Sequence, residues 1–247
     1  MYRFKQIFVL DLMNLILNPM WIFYAIGFPI ALILILGFLA SGSYGHAVSS
    51  YDYFGVALMV FGIFNAATFS ANSFMEERIK KPNMRLIHSP IRPFYIYFSK
   101  ILASFVFCSV AYAIVAVVLH LAVGINYGGA TAWAPLTIML AGNFFFAALG
   151  VTVCCILKNE GVTNNILSLL FMLLSLLGGV FFPVDGLGKA VAAASWISPA
   201  RWMLTACLRI IYDGDFSMFL PVFGLLAALS VAAVALCGSF FKGEDYI

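Results

Sequence analysis

PVDGLGKAVAAASWISPARWMLTACLRIIYDGD, residues 183–215, decides whether the chain crosses a membrane six times or seven. Part of the stretch is apolar enough to pass for a span. Lys189, Arg201 and Arg209 speak against that reading, because a charge near a bilayer centre costs several kcal/mol. Pro199 splits the run, since a proline inside a helix removes a hydrogen bond and clashes with the preceding turn. The stretch is therefore read as a broken, re-entrant or interfacial helix pair, with one span before it and one after.

Outward from that segment the chain is oily. It is 64% hydrophobic and 9% charged, with 25 phenylalanines among 247 residues and a mean hydropathy of +1.05. Soluble domains are only about half apolar. Six runs are long enough to cross a bilayer, which takes about 20 apolar residues in a helix: 19–40, 53–75, 101–125, 133–157, 162–182 and 218–241. Backbone groups in lipid must be satisfied internally, so these runs are helices. No barrel-like alternation is present. The fold class is an all-α membrane protein with six transmembrane helices, forming a single domain over 1–247. Residues 1–17 place Phe4, Ile7, Phe8, Leu12 and Leu15 at helical spacing, with Arg3, Lys5, Gln6, Asp11 and Asn14 elsewhere. That pattern is read as an interfacial amphipathic helix rather than a cleavable signal. The five cysteines match neither a zinc nor a disulfide spacing, and are expected to behave as small apolar residues.

The opposite end of the problem is MEERIKKPNMRLIHSPIRPFYIYFSK, residues 75–100, which holds six of the thirteen basic residues. Basic short loops mark the cytoplasmic side. With six spans, ten basic residues fall on one side and only Lys189, Arg201 and Arg209 on the other. Both termini and the 75–100 segment are thus expected in the cytoplasm of a multi-pass cell-membrane protein. The 183–215 segment is then external.

No span is expected to carry an embedded carboxylate, Lys or Arg, which are the groups that ion-coupled carriers use. GxxxxGK[ST] is missing, and GLGKA (186–190) is too short to serve as a phosphate loop. The three histidines are scattered, and no catalytic or metal-ligating constellation stands out. The chain is expected to hold no cofactor and no catalytic site, and to draw energy from a partner. Pro82 suits the first turn of a short helix over 83–88, which Ser89-Pro90 would end. Arg85 and Leu86 would be its contact points. The same loop also reads as a solvated basic segment that only fixes topology.

The residues in these two segments resemble the ABC-2 family of permeases, the membrane subunits of a class of ABC exporters. In the first segment the resemblance runs through Glu77, Arg78, Leu86, Ser89, Pro90 and Lys100, with departures at Lys81-Pro82 and Met84. In the second it runs through Phe182, Pro183, Pro199, Trp202, Arg209 and Gly214. The resemblance implies a homo- or heterodimer of six-span subunits bound to ATP-binding subunits that hold ATP and Mg. It implies a cytoplasmic coupling helix between helices two and three that carries Glu77, Arg78, Arg85, Leu86, Ser89 and Pro90. The amphipathic start would also touch the ATPases. Besides these chains the expected partner is membrane lipid, with no nucleic acid.

Uncharged polar residues in the spans, Asn65, Thr68, Asn72, Asn143, Asn164 and Asn165, suit either helix–helix glue or a translocation path. A path without charge fits an amphipathic or lipid-like cargo better than a bare ion. An amphipathic small molecule, a peptide antibiotic or a lipid-linked glycan would qualify. Phe182, Pro183, Pro199 and Trp202 are placed at an external gate. Gly62, Ala66 and Ser70, and Gly224, Ala228 and Ala232, form stripes that permit close helix approach. The rival functions are a secondary carrier and a non-transporting membrane scaffold.

Overall fold

The computed structural model describes residues 2–42, 48–75 and 93–241. Among the described residues all regular structure is helical, and six helices are long and apolar enough to cross a membrane. An N-terminal helix, α1 (Tyr2–Ile16), precedes α2 (Pro19–Leu39), which contains a π-helical turn at Phe23–Gly27. Then come α3 (Ser50–Met75), α4 (Pro93–Val123), α5 (Trp133–Leu157) and α6 (Glu160–Gly178). Two short helices, α7 (Lys189–Ser195) and α8 (Pro199–Leu208), lead through a second π-helical turn at Arg209–Asp213 to α9 (Phe219–Phe240).

Local chemistry sets several of these boundaries. Asn18 caps α2 by accepting from the Met20 amide at 3.1 Å, with Pro19 in the first turn. Asn159 caps α6 by accepting from the Val162 amide at 3.0 Å. The same helix ends at Gly179, whose φ of 83° needs a residue without a Cβ. Ser198 caps α8 directly before Pro199, accepting from the Ala200 amide at 3.2 Å. Its hydroxyl also donates to the Leu174 carbonyl of α6 at 2.6 Å. One side chain thus starts a helix and ties it to a neighbour. Ser198→Ala is expected to cost about 1–2 kcal/mol, read as a lower thermal midpoint in detergent.

Helix α3 is the hub. It lies among α2, α4, α5, α6 and α8. From Tyr53 to Met75 every residue of it is buried except Phe61, Asn65 and Thr68. Its closest partner is α5, because Gly150 lets the two backbones meet: a Cβ there would overlap the Ala67 carbonyl oxygen and Ser70 Oγ. Phe64 packs against Phe146 of α5 (4.4 Å between centroids) and Phe171 of α6 (5.2 Å), both rings tilted to it, which closes the middle of the bundle. These aromatics are core rather than the lining of a slot. All five cysteines are buried, as small apolar residues would be.

The structure departs from the sequence reading in three places. Helix α4 begins at Pro93, ahead of the apolar run that starts at 101, so Lys100 is inside it. On α9 the inward residues are Val222, Leu226, Ser230, Ala233 and Cys237. Gly224, Ala228 and Ala232 are exposed, and a Cβ on Gly224 would meet nothing within 4 Å. That stripe brings no helix close within this chain, because it lies on the flank away from α5. The third departure is Asp11, described next.

Candidate functional site

Three places bear on function: an uncharged polar seam, a recess at the 183–215 end, and a buried ion pair at the opposite end.

The seam lies where α3 meets α6. Phe61, Asn65 and Thr68 follow one another at spacings of four and three, which puts them on one face of α3. This is the only strip of the helix beyond its first turn that its neighbours leave open. Asn72 continues the face but is buried, and accepts a 2.6 Å hydrogen bond from Asn164 Nδ2 of α6. Asn164 Oδ1 is buried without a hydrogen-bond partner among the described residues. Asn165, next to it, is exposed. The sequence-predicted residues Asn65, Thr68, Asn72, Asn164 and Asn165 are thus brought together on two adjacent helices. Asn143 stands apart. It is 1% exposed and its amide donates to the Phe105 carbonyl (3.0 Å) and Ser109 Oγ (2.8 Å) of α4. There it joins helices, as Thr152 does by donating to the Ala233 carbonyl of α9 at 2.9 Å.

At the 183–215 end, α8 dips into the bundle and buries Met203, Leu204, Ala206 and Cys207. Above it lies a recess of about 510 Å³, lined by Val48, Tyr53, Pro183, Arg201, Thr205 and Tyr212 among others. The Tyr53 hydroxyl donates to the Gly179 carbonyl and so holds the end of α6 against α3. Arg201 lies 5.7 Å from the Trp196 ring centre, and Trp202 Nε1 donates to the Trp196 carbonyl at 2.7 Å. Of the four residues placed at a gate, Pro183 enters the recess. Phe182 is 41% exposed beside it, while Pro199 and Trp202 shape the start of α8.

Asp52 knits this end together: its Oδ1 accepts from the Asn126 amide (2.9 Å) and its Oδ2 from Ser49 Oγ (2.7 Å). Burial, and then the neighbouring Asp52 carboxylate, raise the Tyr127 and Tyr212 hydroxyls above the ordinary tyrosine range. Asp215 is held below the usual carboxylate range, first by hydrogen bonds from Ser217 and further by Arg209.

The ion pair was not anticipated. Asp11 belongs to the inward face of α1, between Ile7 and Leu15, which are also buried. Its Oδ1 takes a 2.8 Å bond from Lys100 Nζ and its Oδ2 a 2.9 Å bond from Ser99 Oγ. The Lys100 and Asp11 side chains are 0% and 3% exposed. The expectation that no span holds an embedded ionisable residue is therefore corrected: Lys100 is embedded in α4. It sits in the first turns of a 31-residue helix, already paired. A full ion pair near one end differs from the unpaired mid-membrane charge that an ion-coupled carrier needs.

Glu77, Arg78, Arg85, Leu86, Ser89 and Pro90 lie outside the described residues. Comparison with curated proteins returns no match. The family model for ABC-2 type transporters matches residues 2–212, from α1 through the recess. A match of that length, from α1 through five of the six membrane helices and on through α8, makes this chain a multi-pass membrane protein of the ABC-2 type transporter family, the permease component of an ABC transporter.

Proposed function

We propose that this chain is the membrane subunit of an ATP-driven exporter, which pairs with a second permease chain and with ATP-binding subunits that carry the ATP and Mg. The termini and the 76–92 loop face the cytoplasm of a cell-membrane protein, and Glu77, Arg78, Arg85, Leu86, Ser89 and Pro90 dock the ATPase. The cargo is amphipathic: a small molecule, a peptide antibiotic or a lipid-linked glycan. One observation carries the reading. Beyond its first turn, an otherwise buried central helix leaves partly open one strip, Phe61, Asn65 and Thr68, beside a neighbouring helix whose Asn164 Oδ1 has no hydrogen-bond partner among the described residues. Amides and a hydroxyl beside an aromatic ring can pass a molecule with both polar and apolar parts. They offer too little charge to strip water from an ion.

The recess lined by Pro183 and Arg201 is the exit in this reading, with Phe182, Pro199 and Trp202 framing it. The test is co-purification followed by transport. Wild-type chain expressed in its native host should retain an ATP-binding subunit, and Glu77→Lys with Arg85→Glu should release it. Asn65→Leu with Thr68→Val should leave the complex assembled and lower ATP-dependent efflux of its amphipathic cargo by about tenfold, the effect of a contact worth about 1.4 kcal/mol. Efflux without any nucleotide-hydrolysing companion would remove the proposal.

A further inference from the structure

We propose that Asp11 and Lys100 are positioning residues that lock the N-terminal helix to the start of α4, so that the two enter and leave the transport stroke as one rigid body. The inference rests on the reading above, in which α1 and the 76–92 loop both meet the ATP-binding subunit.

The geometry is directional. Two consecutive residues of α4 address the two oxygens of one carboxylate on α1: Lys100 Nζ at 2.8 Å and Ser99 Oγ at 2.9 Å, a hydroxyl whose one proton is shared with the Ile96 carbonyl, also at 2.9 Å. Sliding α1 along α4, or turning it about its own axis, lengthens at least one of these bonds. Apolar contact is non-directional and resists such sliding weakly. Phe4, about two turns before Asp11 on α1, rests on Tyr95 (5.7 Å between centroids), about one turn nearer the start of α4 than Ser99, and on Phe98 (6.2 Å). The helix is therefore pinned at two points along its length. Its other face, including Lys5, Gln6, Leu10 and Met13, is exposed.

The position of the pair matters as much as its strength. Helix α4 begins at Pro93, directly after residues 76–92, the segment assigned above to the ATP-binding subunit. A partner pressing on that loop and on α1 would otherwise have two independently jointed elements to push. With the pair formed, a displacement of either reaches the membrane through α4, which runs on to Val123. A purely stabilising role needs no such placement. A buried ion pair is often matched or bettered in stability by apolar residues of similar size, so what it supplies here is register.

The experiment uses the complex with its co-purified ATP-binding subunit in lipid nanodiscs. Nitroxide labels are placed at Leu10→Cys on α1, Val117→Cys on α4 and Leu236→Cys on α9, all exposed positions. The native cysteines are buried. Pulsed dipolar spectroscopy then compares the nucleotide-free and ATP-trapped states. The expected result is a narrow 10–117 distance that does not change with nucleotide, while the 10–236 distance shifts. In Asp11→Leu with Lys100→Met, which removes both charges and leaves no orphan, the complex assembles. Its 10–117 distance then broadens and moves by about 5 Å, one helical turn, on ATP binding. Ser99→Ala, which removes one of the two bonds, gives a smaller broadening. A wild-type 10–117 distance that follows nucleotide overturns the inference, and so does a double variant that stays as narrow as wild type. If no ATP-binding subunit co-purifies, or no distance responds to ATP, the proposed function itself has failed instead.

Discussion

Gly150→Val is expected to abolish accumulation of folded protein, and Gly150→Ala to leave a weakened one. A Cβ at this position would overlap the Ala67 carbonyl oxygen and come within 2.6 Å of its carbonyl carbon. The obstacle is backbone in the middle of α3, which cannot swing aside as a side-chain tip can. Helices α3 and α5 must separate, and α3 is the hub on which the bundle is assembled. Overpacking of an interior typically costs about 1–3 kcal/mol, and a backbone obstacle belongs at the upper end of that range. Two controls set the scale. Gly142→Ala is crowded by the end of the Met203 side chain, with Cε at 2.5 Å and Sδ at 3.0 Å, and meets Ile63 Cγ2 at an ordinary 3.5 Å; a methionine tip gives way more easily than backbone. Gly224→Ala meets nothing within 4 Å and should stay within about 0.5 kcal/mol of wild type. Thermal unfolding in detergent, followed by fluorescence-detected size exclusion, ranks the three. A Gly150→Ala midpoint equal to that of Gly224→Ala would refute the close approach of α3 and α5.

The six membrane helices were legible because lipid enforces one rule on every span: apolar side chains outside and hydrogen bonds within. The break between α7 and α8 was legible for an equally local reason, since Pro199 acts on its own turn. What failed depended on partners far away in sequence. The start of α4 was masked because Ser99 and Lys100 look like the end of a loop, while the carboxylate that neutralises Lys100 is 89 positions earlier. Even so, α1 did carry a signal. Asp11 comes seven residues after Phe4 and four before Leu15, so helical periodicity placed it at the centre of the apolar face. A charge at that point asks for a partner. The polar residues of the spans show the other limit. Asn143 and Asn65 look alike in sequence, yet the first is buried with its amide N–H groups bonded to α4 and the second lies on a partly open strip. The small residues at 224, 228 and 232 permit close approach, but such a stripe does not say which helix approaches.

Removal of one member of the Asp11–Lys100 pair is expected to destabilise the protein by about 3–5 kcal/mol, because it strands the other charge in a buried site. Lys100→Met leaves a carboxylate at 3% exposure with Ser99 as its hydrogen-bond donor among the described residues, and Asp11→Leu leaves an ammonium at 0%. The double variant Asp11→Leu with Lys100→Met strands nothing, and should unfold within about 1–2 kcal/mol of wild type on either side. A thermodynamic cycle in detergent would therefore show two costly single changes and a cheap double one, a strongly non-additive pattern. Salt gives an independent check. The exposed Arg209–Asp215 contact, 3.7 Å apart with both side chains nearly half exposed, contributes little and is screened away by concentrated salt. The buried pair should be nearly indifferent to salt. Additive single changes, or a salt response like that of Arg209 and Asp215, would mean that water reaches Lys100. If the cycle is non-additive as expected, the pair's net contribution to stability is small even though either half alone is ruinous. What remains for it to provide is orientation, the one thing that an apolar replacement of equal size cannot supply.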